Sequence, residues 1–311
     1  MMPRARIDSQ TMENEKRFKR IYIEISNICN LQCSFCPVVE REKDVMSLEK
    51  FQAILSQAAP LADQVCLHVM GEPLGHPEFP AFVSIAEDRK VLLQITTNGT
   101  LLDENRKQAL LSPAIRQINF SMQAFSDNFP NSAPETHWRK VLEFAKMASS
   151  LRPELYINFR LWNLGNENQS INEAFITFLE SELHLEISRK IDPALQKSKK
   201  LLGRLYLHFD SRFDWPIESK RENSEVGYCY ALNNHVAILS SGTVVPCCLD
   251  KEATLKLGNC LEQTLEEILE STRAKKIRDG FAKGKAVESL CQRCDYSSRF
   301  QKKALRLQKS N

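Results

Sequence analysis

Strand-like and helix-like stretches alternate six times along the first two thirds of this chain, and few folds accommodate that alternation. Residues 20–26 (RIYIEIS) alternate and carry β-branched side chains, as a strand does. The same pattern recurs at 64–70 (QVCLHVM), 91–97 (VLLQITT), 117–122 (QINFSM), 155–162 (LYINFRLW) and 204–209 (RLYLHF). Between them, residues 47–57, 80–89, 103–111, 136–151 and 171–183 have helical spacing; Ser47 followed by Glu49 reads as a cap. Asn98-Gly99 stops the third strand with a turn. Such an order predicts an α/β fold, a parallel sheet with crossover helices, either an open barrel or a doubly wound sheet. In both, chemistry sits at the C-terminal ends of the strands. The suspicious residues fall there: Cys29 after the first strand, Gly71-Glu72-Pro73 after the second, Asn98-Gly99 after the third, Ser121 and Arg160 on the fourth and fifth.

Beyond about residue 210 the pattern changes. Residues 213–216 (FDWP) read as a loop, 235–240 and 243–247 as a hairpin around Ser241-Gly242, and 264–279 as one helix. This region is small and rich in cysteine, so metal rather than a core of its own is expected to hold part of it. The expected division is a polar segment at 1–19, an α/β barrel at 20–212, a C-terminal extension at 213–298 and a basic tail at 299–311. The tail (Arg299, Lys302, Lys303, Arg306, Lys309) reads as a solvated helix end, with a phosphate or acidic-substrate contact as the alternative. A net charge of +3 does not argue for nucleic acid. No run of 18 apolar residues suggests a membrane span, and residues 1–20 lack the apolar stretch of a secretory signal, so a reducing cytoplasm is expected.

In that compartment ten cysteines speak for metal rather than disulfides, and they cluster. Cys29, Cys33 and Cys36 lie on one loop at C-x3-C-x2-C spacing. Thiolates are the soft ligands iron–sulfur chemistry requires, and a structural zinc site usually closes with four. Three local ligands suit a 4Fe–4S cluster with one iron left open to a small chelating cofactor. With Phe35 before the last cysteine, this stretch resembles the radical S-adenosylmethionine (SAM) superfamily. The resemblance implies a partial (β/α)6 barrel, SAM bound to the open iron through its amino and carboxylate groups, an external reductant such as flavodoxin or ferredoxin, and one-electron cleavage of SAM to a 5′-deoxyadenosyl radical. It also implies SAM contacts at Gly71, Glu72 and Pro73 (with Glu72 accepting the methionyl ammonium), at Asn98, at Ser121, and at Arg160 toward the carboxylate. A buried ion pair is the other reading of Arg160.

Cys229, Gly242, Cys247 and the terminal Cys291-Gln-Arg-Cys294 resemble the SPASM/twitch extension of radical SAM enzymes. The resemblance implies four thiolates, Cys229, Cys247, Cys291 and Cys294, around one fully ligated auxiliary 4Fe–4S cluster; the longer two-cluster pattern needs more cysteines. Zinc on the same ligands is the alternative. Cys248 is an alternative ligand or a free thiol, and Cys260 and Cys66 read as structural.

The radical removes hydrogen from a C–H bond. A closed auxiliary cluster suits it to accept the electron left behind, giving a two-electron oxidation of a small molecule or short peptide. A peptide maturase is the next reading, then modification of RNA or a carbohydrate; a plain electron carrier is the reading from another class. Gln123, Asp214, Tyr228 and Asp250 are candidate bases or substrate contacts, with hydrogen bonding near the auxiliary centre as the other reading of Asp250; His68 reads as a satisfied core histidine, with a place facing the barrel interior as the alternative.

Overall fold

A computed structural model describes residues 16–164, 169–189, 197–217 and 224–301, together with residues 305 and 308. Residues 1–15 of the predicted polar segment, and Lys302, Lys303, Arg306 and Lys309 of the predicted tail, lie outside the described residues.

The strands are β1 (Phe18–Ile23), β2 (Ala62–Cys66), β3 (Leu93–Thr97), β4 (Ile115–Ser121), β5 (Tyr156–Leu164), β6 (Ser198–Leu202), β7 (Leu205–Ser211), β8 (His235–Ile238), β9 (Thr243–Val245) and β10 (Gly258–Asn259). They form one ten-stranded sheet in the order β10-β9-β8-β1-β2-β3-β4-β5-β7-β6. All six expected strands are present and parallel (β1, β2, β3, β4, β5, β7). The sheet keeps two edges, so it curves as a partial barrel and does not close. Two strands were not expected: β6, an antiparallel partner of β7, and the two-residue β10, an antiparallel partner of β9.

The helices are α1 (Leu48–Ala58), α2 (Phe79–Asp88), α3 (Glu104–Leu110), α4 (Gln123–Asn128), α5 (Glu135–Leu151), α6 (Gln169–Leu183), α7 (Leu265–Leu269), α8 (Thr272–Ala282) and α9 (Ser289–Gln292). Ser47 caps α1 through Lys50 N–H, and Asp103 caps α3 through Arg106 N–H. The single helix expected at 264–279 is two. Thr264 and Glu267 make a capping box for α7, and Ser271 then accepts from Ala274 N–H and starts α8 afresh. The second cap satisfies donors that a continuous helix would have paired internally.

Strand alternation explains what the barrel is for. The helix-facing side is apolar and sealed: Ile21, Ile23, Ile118, Phe120, Ile157 and Phe159 are all fully buried. The opposite face carries Tyr22, His68, Thr96, Asn119, Arg160 and His208, which border a cavity of about 880 Å³. Parallel strands buried on both faces usually read as continuous apolar runs. These alternate because their inner face lines a lumen.

The C-terminal extension is built onto this sheet. β8 pairs in parallel with β1, matching Arg20 to His235 and Tyr22 to Ala237, and β9 and β10 follow antiparallel. Gly242 turns the hairpin at φ +85°, where a Cβ would lie 2.6 Å from Asn259 Oδ1. Val236, Ile238, Val244 and Leu265 join the same core as the barrel strands. As expected, the extension has no core of its own: the sheet edge supplies its apolar partner.

Candidate functional site

The first cysteine loop leaves β1 and returns at Met46, whose N–H bonds Ile25 O at 2.9 Å. Asn27 closes its base, donating to Glu42 O and accepting from Asp44 N–H. Its tip is held by α4, a helix the sequence did not announce. Asn128 Oδ1 accepts from Gln32 N–H, and Asp127 accepts from both Ser34 N–H and Ser34 Oγ. Asn128 Nδ2 also donates to Cys33 Sγ at 3.1 Å, and Leu31 N–H to Cys29 Sγ at 3.4 Å. Burial pushes the Cys33 thiol up to about 12 and Cys36 up to about 11, and the thiols raise one another. Three thiols on one pinned loop, near enough to repel as thiolates, with N–H donors already aimed at two of them, fit the three-ligand cluster. Protons must leave as metal binds.

Gly71 sits at φ +77°, and a Cβ there would lie 2.3 Å from Ser26 O and 2.9 Å from Ile28 O. Only glycine lets the β2 loop lie against the cysteine loop this closely, and Glu72 N–H bonds Ile28 O. The Glu72 carboxylate is buried and turned inward: it accepts from Leu74 N–H at 3.0 Å and Asn98 N–H at 2.7 Å. Burial raises its pKa. Through these bonds Glu72 ties the β2 loop to the β3 loop, and Pro73 begins a 3-10 turn behind it. Asn98 Nδ2 bonds Asn30 Oδ1, linking the β3 loop to the cysteine loop. Gly71→Ala is expected to cost about 1–2 kcal/mol for the left-handed backbone alone. It should also weaken SAM binding at least about tenfold by displacing residues 26–28; equilibrium dialysis of the variant checks this.

Ser121 and Arg160 stand side by side in register on β4 and β5, both on the lumen. Arg160 lies over the Trp162 ring at 4.4 Å, and Trp162 Nε1 donates to His208 Nδ1 at 2.9 Å. Among the described residues Arg160 has no carboxylate partner, so the buried ion pair does not form.

At the second centre, Gly227 N–H bonds Gly284 O and Ala286 N–H bonds Glu225 O. This brings Cys229 to the stretch before α9, beside Cys291 and Cys294. Cys247, at the end of β9, has a pKa raised well above the usual thiol range by burial, then by Cys248, Cys229, Cys291 and Cys294. The four thiols lie within electrostatic reach of one another, although among the described residues no three of them close as they would on a single ion. Cys248 turns toward the barrel, where Tyr22 hydrogen-bonds it. Cys260 is buried in the core and Cys66 donates to Gln94 Oε1, both structural.

Several candidates change role. Asp250 accepts from Thr254 N–H and Leu255 N–H, so it shapes the loop after Cys247. Tyr228 packs edge-on to Tyr230, and Asp214 is exposed. His68 is not a satisfied core residue. It borders the lumen, its Nδ1 has no partner among the described residues, and burial with Arg160 and Arg20 lowers it to about 3. Gln123 opens α4 and also borders the lumen, its Oε1 unpartnered. Arg299 is no solvated helix end: it donates to Asp210 at 2.6 Å and stacks on Tyr296.

Sequence reading missed Glu24. At the end of β1 and fully buried, it accepts two bonds from Arg41, one from Met70 N–H and two from Ser240. It joins the cysteine loop, the β2 loop and the extension hairpin at one carboxylate. Lys251 and Glu252 grip residues 38–41 beside it. The signal was a charge at an inward position of an otherwise alternating strand.

Fold and site together define a partial α/β barrel with two cysteine centres opening on one lumen. The radical SAM superfamily profile matches residues 23–179, and an iron–sulfur cluster-binding domain of the SPASM type matches residues 229–295. The chain belongs to the radical SAM superfamily and is an enzyme with a SPASM-type extension; its cofactors are iron–sulfur clusters and SAM. It is 33% identical over 108 residues to a tungsten-containing aldehyde ferredoxin oxidoreductase cofactor-modifying protein of Pyrococcus furiosus, covering 33% of this chain and 30% of that protein. It is 31% identical over 103 residues to a PqqA peptide cyclase of Granulibacter bethesdensis, covering 32% and 28%. The chain thus aligns with less than a third of each relative. The crystal structure of BtrN in complex with AdoMet and 2-DOIA shares the fold, with TM-score 0.56, 18% identity and coverage of 90% of this chain and 94% of that one.

Proposed function

We propose that this enzyme takes hydrogen from a C–H bond of a small molecule or short peptide held in the lumen and carries the substrate through a net two-electron oxidation. The observation that carries this is the cavity itself, which borders Cys36 at one end and Cys247, Cys248, Cys291 and Cys294 at the other. Cys29, Cys33 and Cys36 would hold the SAM-binding cluster, and Cys229, Cys247, Cys291 and Cys294 the auxiliary one. When bound, these supply the electron that cleaves SAM and an acceptor for the electron left on the substrate.

The chain's own residues do the rest. Gly71 and Asn98 hold the β2 and β3 loops against the cysteine loop, leaving SAM a fixed bay beside Cys36. Phe213, packed on Trp215 and Tyr296, borders the lumen on the extension side and limits water. His68 is neutral at pH 7 and presents Nδ1 as an acceptor for a substrate hydroxyl or amide proton. A volume of about 880 Å³ suits SAM with a compact substrate. The lack of a membrane-crossing helix among the described residues and the ten free cysteines support a reducing compartment.

The second reading, a peptide-modifying maturase, draws on the peptide cyclase relative. Both readings require 5′-deoxyadenosine, formed from SAM with dithionite on anaerobically reconstituted protein. A full iron load without that product would leave an electron carrier. The auxiliary ligands have their own check: Cys247→Ala should drop the iron count from about eight to about four, whereas Cys248→Ala should keep about eight. The reverse outcome would make Cys248 the ligand.

A further inference from the structure

Arg160 is a cation built into the lumen wall without a counter-charge among the described residues. Its five N–H donors meet one protein acceptor among the described residues, Thr96 Oγ1 at 3.4 Å. Thr96 is itself fixed by Asn119, and the guanidinium is stacked on Trp162, which His208 orients. The head group is therefore held in place while its donor edge stays unused. Arg20 enters the same space from β1 and likewise forms no ion pair among the described residues. The acids that border the cavity are engaged elsewhere: Asp210 by Lys197 and Arg299, Asp250 by backbone N–H groups. Among the described residues neither guanidinium has an available carboxylate. Arg20 is exposed to solvent, whereas Arg160 keeps a fixed donor edge turned to the lumen, which suits an anion.

Arg160 stands in register with Ser121 of β4, stacked on Trp162 and bonded to Thr96 of β3, on the wall of the lumen.

We propose that Arg160, with Arg20 on the opposite wall, binds an anionic group of the substrate, a carboxylate or a phosphate, and so selects acidic substrates. This rests on the reading of the lumen as the substrate site. It replaces the sequence-based expectation that Arg160 meets the SAM carboxylate. The planar fork suits a bidentate anion, which lysine cannot match.

The test is calorimetric titration of SAM-loaded, anaerobically reconstituted protein with glutarate and, separately, pyrophosphate. Wild type should bind one of them better than the other, which distinguishes a carboxylate from a phosphate group. Arg160→Gln should weaken that binding at least tenfold and Arg160→Lys about threefold. Arg20→Gln should weaken it less than Arg160→Gln, and SAM affinity should change less than twofold in each variant. Equal anion binding by Arg160→Gln and wild type, or no binding of either anion by wild type, overturns the proposal. A tenfold loss of SAM affinity in both Arg160 variants also overturns it and returns the residue to the cofactor. Wild-type protein that binds the anion yet makes no 5′-deoxyadenosine upholds this assignment and overturns the radical reading beneath it.

Discussion

Replacing Cys29, Cys33 and Cys36 together by alanine is expected to abolish dithionite-dependent 5′-deoxyadenosine formation and to lower the iron content from about eight to about four per chain. The loop that carries them is folded by other groups: Asn27 at its base, Asp127 and Asn128 at its tip. The thiols contribute Sγ acceptors at Cys29 and Cys33 and little else. Removing them should therefore leave the fold intact, with a stability change within about 1 kcal/mol. Iron and sulfide assays with product analysis on the same preparation decide the matter. Product formation at the wild-type rate by the triple variant would sink the assignment of this loop.

Glu24→Ala should lower the free energy of unfolding by about 3–5 kcal/mol, because it strips the partner from a largely buried charge. Arg41 donates to Glu24 at 2.9 and 3.1 Å, and the Glu24 side chain is 0% exposed. Met70 N–H and Ser240 lose their acceptor in the same step, and unsatisfied buried donors add to the cost. Glu24→Gln keeps one acceptor and the volume, so it should fall between wild type and alanine. Urea unfolding followed by circular dichroism measures both. A loss under about 1 kcal/mol for the alanine variant would mean that water or a rearranged Arg41 takes over the site.

The six parallel strands were legible because alternation, β-branching and turn residues are local signals. The first cysteine loop was legible because its three ligands lie within eight residues. What was missed depended on competition between local signals or on distant partners. Ser271 split a helix because a cap and a continued helix offer the same donors two solutions. β6 lay unseen because an edge strand needs only β7 beside it. Asp250 had two readings because a carboxylate in a loop is equally suited to reacting or to capping backbone N–H groups, and its bonds to Thr254 and Leu255 are of the second kind. His68 was left between the core and the barrel interior, since a histidine on a strand does not announce which face it occupies.

By itself, the sequence determined the α/β class, the succession of strands and helices and the first cysteine loop, which follow from residue spacing over short stretches, where the chain's geometry leaves few choices. The auxiliary ligand set, the clusters and SAM came from the family that the cysteine patterns resemble. Only the tertiary structure decided that the extension continues the barrel sheet beside β1, and that Glu24 binds three segments. It alone put Cys36 and Cys247 on one lumen with Arg160 in its wall, without a counter-charge among the described residues. Those facts depend on which groups remain without a partner once residues far apart in the chain have packed, and spacing along a sequence carries no record of that.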